Sequence, residues 1–292
     1  MRHFCAAVFL GLILYPSVAQ TRLPTQRSLP QSEASDQERR HRYEGRRIWS
    51  IKFRGNRHFS SQELLDFIET KQGEGYYFEK LDADIDRVRV LFLGRRGYLK
   101  ASLGEPEIEV DFTGLRIVVP VHEGAPYRWG VLTVKGSTVF SSGEVTKIVG
   151  MRSGEIADGY GMQGGLDELE KLYRNRGFLQ FSVAFIPEFR ENVPNADEGL
   201  VDLSLELEEG GIYRIDSISF DGNSKTPDQI LRRPLRIHEG DIYNESLLES
   251  SLELLNALGL FEKLTRADVR FQSNDETKLT AITIQLREKI QQ

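Results

Sequence analysis

The feature that most constrains this 292-residue sequence is a pattern that occurs three times. In each copy, apolar and polar residues alternate as in a β-strand, and the segment ends at a glycine. The three segments occupy residues 48–55, 129–136 and 215–222, and their glycines lie 81 and 86 residues apart. A repeat of this period is one supersecondary unit that is copied along the chain. The sequence therefore favours a short array of similar units over one large domain.

Two helices are predicted after each glycine. The first helix starts at Ser or Thr with Glu or Gln three residues later, the spacing of a capping box, or with proline at the first helical position. These starts are Ser60 with Glu63, Ser141 with Glu144, and Thr226-Pro227 with Gln229. The second helix carries apolar residues three or four positions apart, which predicts one buried face. These stripes are Leu81, Ile85, Val88 and Phe92; Met162, Leu166, Leu169 and Tyr173; Leu248, Leu252, Leu255 and Leu258.

A second glycine and two further strands complete each unit. The second helix ends at Gly97, Gly177 or Gly259, where glycine can adopt the left-handed cap conformation. A final alternating strand follows over residues 115–121, 200–207 and 279–286. The order strand, helix, helix, strand, strand predicts an α+β fold of three tandem repeats, each with a three-stranded sheet. The predicted boundaries are 47–123, 124–210 and 211–289.

This order, together with Gly-Asn after the first strand, Gly-Tyr-Leu or its equivalent after the second helix, and a terminal Val-x-Glu-Gly, resembles the POTRA (polypeptide-transport-associated) repeat. The second copy departs by having Gly136-Ser137 in place of Gly-Asn. The resemblance implies a place among the periplasmic arms of outer-membrane barrel-assembly factors and related transporters. It also implies that the strand after the second glycine lies at a sheet edge, where an extended segment can be added.

The N-terminus predicts export. Arg2 and His3 precede a short apolar run, and a small-residue pattern ends at Ala19, so residues 1–19 are predicted to be a signal peptide, with an uncleaved anchor as the alternative. Residues 20–46 are rich in Gln, Ser, Arg and Pro and are predicted to be a flexible leader. The expected location is the periplasm, in association with the outer membrane. The only cysteine, Cys5, lies in the predicted signal, so the mature chain would have no thiol.

Composition and motifs argue against several functions. The net charge of −6 disfavours nucleic acid as a partner, and no segment of the mature chain is apolar and long enough for a transmembrane helix. The five histidines have no ligand at metal-binding spacing, and no nucleophile, phosphate-binding or dinucleotide motif is present. We therefore expect no catalytic residue, no cofactor and no metal. A hydrolase built on two carboxyl groups with raised pKa is the enzymatic alternative.

The chain stops at Gln292, three residues after the third copy, so a membrane barrel of eight or more strands cannot follow within it. The expected protein is a stand-alone POTRA array, either a separate periplasmic protein or the product of a gene split from its barrel. Its expected partners are an outer-membrane barrel protein or unfolded outer-membrane clients.

The second copy provides the candidate binding edge. Residues 178–186 contain no charge and no proline, whereas the corresponding segments 98–107 and 261–269 carry several charges that protect an edge. Pleat alternation places Leu179, Phe181, Val183 and Phe185 toward the core. The predicted partner-facing residues are Phe178, Gln180, Ser182, Ala184 and Ile186. The alternative is that this edge is covered by its own helices and by neighbouring repeats.

The function expected from these observations is that of a non-enzymatic binding scaffold in outer-membrane protein assembly or transport. Extended client or partner segments would dock by β-strand addition. The alternative function is a structural adaptor that links a separate outer-membrane barrel to an envelope complex without binding clients.

Overall fold

The computed structural model describes residues 41–191 and 198–289. The predicted signal peptide and most of the predicted leader lie outside these residues. The chain divides into two compact units, and the division passes through the second copy of the repeat. One unit contains the described residues up to Gly130 with Arg152–Gly161 and Glu188–Asp202, and the other contains Val131–Met151, Met162–Pro187 and the residues from Leu203 onward.

All three copies have the predicted order of elements. The first consists of β1 (Ile48–Arg54), α1 (Ser61–Phe67), α2 (Phe78–Arg87), β2 (Ser102–Leu103), β3 (Glu107–Val110) and β4 (Leu115–His122). The second consists of β5 (Tyr127–Lys135), α3 (Ser142–Val149), α4 (Gly159–Arg174), β6 (Ser182–Arg190) and β7 (Gly199–Glu208). The third consists of β8 (Arg214–Asp221), α5 (Asp228–Arg232), α6 (Glu245–Ala257), β9 (Val269–Asn274) and β10 (Leu279–Gln285).

Short irregular helices extend two of these segments. After α2 the chain continues through a π-helical segment, Val88–Leu93, and a 3-10 turn, Gly94–Arg96. A further 3-10 turn, Arg266–Asp268, precedes β9. The α+β class predicted from the sequence is confirmed.

The last strand of each copy is the centre of its sheet. β4 pairs in parallel with β1, and β10 pairs in parallel with β8 and antiparallel with β9. The sheet of the second copy has the order β5-β7-β6. A strand whose sheet packs one face on the core and turns the other toward solvent alternates along its length, and β7 accordingly buries Val201, Leu203, Leu205 and Leu207.

The first sheet has four strands, because its third position is divided between β2 and β3. β2 pairs with Val121 and His122, whereas β3 pairs with residues 115–118 of β4. The Gly104 N–H donates to the Pro120 carbonyl at 2.8 Å, and Pro106, which has no N–H, then interrupts the pairing. The continuous edge strand expected over residues 98–107 is therefore replaced by two short ones.

The predicted apolar stripes of the second helices form the cores, with two exceptions. Ten of the twelve side chains are buried, while Ile85 is half-buried at the margin of its core. Leu258 is 38% exposed because α6 ends at Ala257, one residue before it. The third stripe is therefore one residue shorter than predicted.

The helix starts follow the predicted chemistry in two copies. Ser60 with Glu63 and Ser141 with Glu144 form complete capping boxes. In the third copy Pro227 occupies the cap position itself, and α5 is only five residues long. Ser137 replaces the asparagine of the other two copies but makes the same contact. Its hydroxyl donates to the Phe140 carbonyl at 2.6 Å, and the side-chain amides of Asn56 and Asn223 donate to the carbonyls of Phe59 and Thr226.

A glycine and a glutamate close each copy in the same way. Gly55, Gly136 and Gly222 have φ of +98°, +79° and +95°, and a Cβ on any of them would collide with a backbone carbonyl at the end of the last strand or directly after it. The glutamate that follows that strand accepts hydrogen bonds from two N–H groups of the turn after the glycine. The pairs are Glu123 with Arg57 and His58, Glu209 with Thr138 and Val139, and Glu288 with Lys225 and Thr226.

This arrangement changes the acidity of the glutamates. Burial opposes ionisation of Glu209, but hydrogen bonds from Thr138 and Tyr173 outweigh burial and lower its pKa to about 2. The pKa values of Glu123 and Glu288 are lowered in the same way, by donors that outweigh burial. Each closure therefore depends on an ionised carboxylate.

The end of the predicted leader is ordered against the first copy. The Gly45 N–H donates to the Tyr76 carbonyl at 2.8 Å, and the Tyr76 N–H donates to the Arg46 carbonyl at 2.7 Å. Glu44 accepts a hydrogen bond from the Phe78 N–H, and Tyr43 packs against the core. Residues 41–46 are thus fixed at the start of β1.

We expect Leu255→Ala to lower the free energy of unfolding by about 2 to 5 kcal/mol, because a fully buried side chain is replaced by a cavity. Leu258→Ala is the matched control, and its exposed side chain should contribute less than about 1 kcal/mol. Urea unfolding measures both changes. Equal losses in the two variants would contradict the assignment of the buried face.

We expect Glu209→Gln to destabilise the chain by about 1 to 3 kcal/mol at pH 7, because charge-assisted hydrogen bonds are lost. The folded-state pKa lies below the unfolded one, so this stabilisation is present above about pH 4.5 and is lost as the pH falls toward 2. Urea unfolding of the wild-type protein and of Glu209→Gln between pH 7 and pH 2 should show their difference in free energy of unfolding decreasing as the pH falls. Glu206→Gln is the control, because Glu206 forms only an exposed ion pair with Lys135. A loss of stability in Glu209→Gln that does not change with pH would contradict the role of the ionised glutamate.

Candidate partner-binding edge

Each sheet has two outer strands. On one side these are β1, β5 and β8, and on the other side they are β2 with β3, β6, and β9. An outer strand carries backbone N–H and C=O groups that its own sheet does not pair. A candidate binding edge is therefore an outer strand that other residues of its own copy do not cover and that carries few charged side chains.

The outer strands β1, β5 and β8 are covered where they begin. The segment between the two helices bridges each strand, so that the Trp129 N–H donates to the Glu155 carbonyl at 2.9 Å and the Gly154 N–H donates to the Trp129 carbonyl at 2.7 Å. Each copy has one such backbone bridge, and the bridges join Arg47 to Gly75, Arg128 to Ile156 and Arg214 to Ile242. The start of each first strand is thus occupied within its own copy.

The strand β6 carries an uncharged run on its exposed face. Ser182, Ala184 and Ile186 point to solvent, and Ile186 is 51% exposed. Val183 and Phe185 are half-buried on the opposite face, as the alternation predicted. Charge enters only after Pro187, at Glu188 and Arg190, and Arg190 forms an ion pair with Asp202 of β7 at 2.7 Å.

The first two predicted edge residues, Phe178 and Gln180, precede β6, which begins four residues later than expected. Residues 178–181 form a turn in which the Phe181 N–H donates to the Phe178 carbonyl. The Phe181 ring stacks on Tyr173 with centroids 4.0 Å apart, and Phe178 meets the same ring edge-on. The structure therefore brings together Ser182, Ala184 and Ile186 and separates Phe178 and Gln180 from them.

Gln180 and Leu179 make contacts with the third copy. The Gln180 side-chain amide donates to an Asp275 carboxylate oxygen at 2.7 Å. Leu179 packs against the core cluster of the third copy. Both residues thus belong to the junction between the second and third copies.

The other two edges carry charge or are interrupted. β3 carries Glu107 and Glu109, and Glu107 forms an ion pair with Arg54 of β1. β9 carries Arg270 on its exposed face, and the Arg266 guanidinium covers the half-buried Phe271 ring at 4.3 Å. Among the three edges formed by β2 with β3, by β6 and by β9, β6 has the longest run without charge.

A cavity in the first copy was not predicted from the sequence. It has a volume of about 230 Å³ and lies between α2 and the interruption of the edge strand. Its apolar lining includes Leu81, Ile85, Leu103 and Ile108. Pro106 inside a predicted strand is the signal that could have indicated the interruption.

The described residues contain no cluster of three or more His, Cys, Asp or Glu that could hold a metal ion. Within the same residues, no helix has the length and apolar character needed to cross a membrane. Hydrogen bonds from Ser60 and Ser141 lower the pKa of Glu63 and Glu144, and the closing glutamates are likewise acidic. These carboxylates cap helices and turns, whereas a general acid needs a raised pKa.

Comparison with known proteins relates this geometry to a family. The family model POTRA, described as "Surface antigen variable number repeat", matches residues 47–124, 127–210 and 213–289. The chain is 27% identical over 230 residues to the outer membrane protein assembly factor BamA of Neisseria meningitidis, covering 75% of this chain and 28% of that protein. It is 23% identical over 250 residues to a putative outer membrane protein assembly factor of Treponema pallidum, covering 82% and 29% respectively. The chain thus spans less than a third of the length of these two relatives.

A solved structure has the same fold. The crystal structure of Haemophilus influenzae BamA POTRA3-5 superimposes with a TM-score of 0.71 at 19% identity, covering 83% of this chain and 96% of that one. The three family matches coincide with the three sheets described above and together cover most of the sequence. The chain therefore belongs to the POTRA family, with three consecutive repeats.

Proposed function

We propose that this chain is a non-enzymatic periplasmic scaffold in outer-membrane protein assembly, and that it holds extended segments of barrel proteins or unfolded clients beside β6. The observation that carries the proposal is an edge strand with an exposed, uncharged run at Ser182, Ala184 and Ile186, within a chain of the POTRA family. The export signal at residues 1–19 and the repeat boundaries at 123 and 210 are part of the same proposal.

Strand addition suits a scaffold that meets many sequences. An added strand is bound mainly by backbone hydrogen bonds, so its side chains can vary. Charged side chains and prolines discourage such pairing, and β6 has neither between Ser182 and Ile186. The exposed Ile186 side chain would add apolar contact to an incoming segment.

Pro187 suggests which backbone groups face the partner. Proline is tolerated in an edge strand where the missing N–H would point away from the sheet. Residues two apart in a strand point their N–H groups in the same direction, so the Val183 N–H is the corresponding outward donor. The N–H groups of Ser182 and Ala184 would then serve the pairing with β7.

We expect Val183→Pro and Ser182→Lys each to weaken binding of a labelled ten-residue peptide with alternating apolar and polar side chains by about fivefold. The first removes an outward donor, worth about 1 kcal/mol, and the second places a charge where the peptide would lie. Fluorescence anisotropy with the full chain measures the affinity. Thr133→Lys, which adds the same charge to the exposed face of β5, should leave the affinity unchanged.

Wild-type affinity in both folded β6 variants would exclude strand addition at β6. Circular dichroism checks that the variants are folded. A single stoichiometric barrel protein recovered from envelope extract, without peptide binding, would instead favour the adaptor that links a barrel to an envelope complex.

A further inference from the structure

The cavity of the first copy has an apolar floor that continues its core. Leu81 is buried, and Ile85, Leu103 and Ile108 pack against the same core cluster while they line the cavity. The volume of about 230 Å³ is larger than the roughly 150 Å³ at which an engineered apolar cavity admits benzene. The space is therefore large enough to hold an aliphatic side chain.

The rim of this cavity is acidic. Three exposed carboxylates line it, Asp82 and Asp86 on α2 and Glu105 at the interruption between β2 and β3. Arg89 is the one basic residue among the described lining residues, and it forms an ion pair with Asp86. The rim thus has an excess of negative charge. A segment that carries an aliphatic residue beside a basic one complements both the floor and the rim.

The described part of the chain begins beside this cavity. The His41 ring packs edge-on against the Phe78 ring with centroids 5.1 Å apart, and the Glu44 carboxylate accepts a hydrogen bond from the Phe78 N–H at 3.0 Å. Phe78 lines the cavity, and so does Tyr76, whose carbonyl accepts from the Gly45 N–H. The residues that precede His41 therefore enter the described structure at the edge of the cavity.

The sequence before His41 carries the matching side chains. Residues 20–32 contain two arginines and no acidic residue, and each arginine stands one or two positions before a Leu-Pro pair. The two motifs are Arg22-Leu23-Pro24 and Arg27-Ser28-Leu29-Pro30. Proline biases the residue before it toward an extended backbone, which exposes the leucine side chain. The POTRA match begins at residue 47, so neither motif belongs to a repeat.

We propose that residues 27–30 of the leader dock in the cavity of the first copy. The Leu29 side chain lies on the apolar floor, and the Arg27 guanidinium faces the carboxylates of the rim. The leader is then a ligand carried by the chain itself. It covers the interruption between β2 and β3 and closes this part of the edge to other segments. This docking does not depend on strand addition at β6.

The short tether favours the leader over a segment from another molecule. Twelve positions separate Leu29 from His41. At about 3.3 Å per residue this tether spans up to about 40 Å, which is ample for a cavity that begins at Phe78. A short tether gives an effective concentration of the order of mM. A motif that binds too weakly from solution therefore still occupies the cavity when it is tethered beside it.

The test places a nitroxide on Ser32→Cys in the full chain, with Cys5→Ser so that the label has a single thiol to react with. We expect the nitroxide to enhance relaxation of the methyl protons of Ile85 and Ile108, which line the cavity. Arg27→Ser with Leu29→Ser should reduce this enhancement at least about threefold, because the tether alone does not hold the label there. Arg22→Ser with Leu23→Ser is the matched control and should leave the enhancement unchanged.

A second pair of variants tests the rim. Glu105→Lys should reduce the same enhancement at least about twofold, because it replaces an attractive charge by a repulsive one. Glu79→Lys makes the same change at an exposed glutamate in the first turn of α2 that does not line the cavity. This control should leave the enhancement unchanged. Circular dichroism checks that all variants are folded.

Equal enhancement in the two leader variants, or in the two rim variants, would overturn the proposal, and so would the absence of enhancement in the parent chain. A mixture of isotopically labelled chain without nitroxide and nitroxide-labelled chain of natural isotope content separates docking within a chain from docking between chains. Enhancement in this mixture would also overturn the proposal, because the leader of a second copy would then occupy the cavity.

Discussion

Each copy of the repeat depends on one closure, in which the end of its first strand meets the end of its last strand. The glycine lets the backbones approach where any Cβ would collide, and the glutamate after the last strand satisfies the N–H groups of the turn. The turn then fixes the start of the first helix. The position of the sheet relative to the helices follows from this contact in all three copies.

The helix caps could be predicted because their determinants are local. Ser60 and Glu63 are three residues apart, and their spacing alone defines the cap. The role of Glu209 was missed, since a glutamate at a strand end is usually solvated, and its partners Thr138 and Val139 lie about 70 residues away. Its recurrence as Glu123 and Glu288 was the available signal.

The edge strands were harder to place, because tertiary contacts decide where they begin. Phe181 stacks on Tyr173 and holds residues 178–181 in a turn, so β6 starts at Ser182. In the first copy Gly104 and Pro106 divide the edge. Alternation nevertheless predicted which β6 side chains face solvent, because the pleat does not depend on where a strand begins.

The parallel pairing of first and last strands has a consequence for how the chain is made. Ile51 pairs with Ile117, and Ile218 with Ile282, so the central ladder joins residues more than 60 positions apart. Contacts of such long range close slowly, since loop entropy must be lost before any bond forms. A copy cannot complete its sheet until its last strand has been synthesised. The copies are therefore completed one after another as the chain emerges into the compartment where it folds, and the newest one keeps its first strand unpaired until its own end arrives.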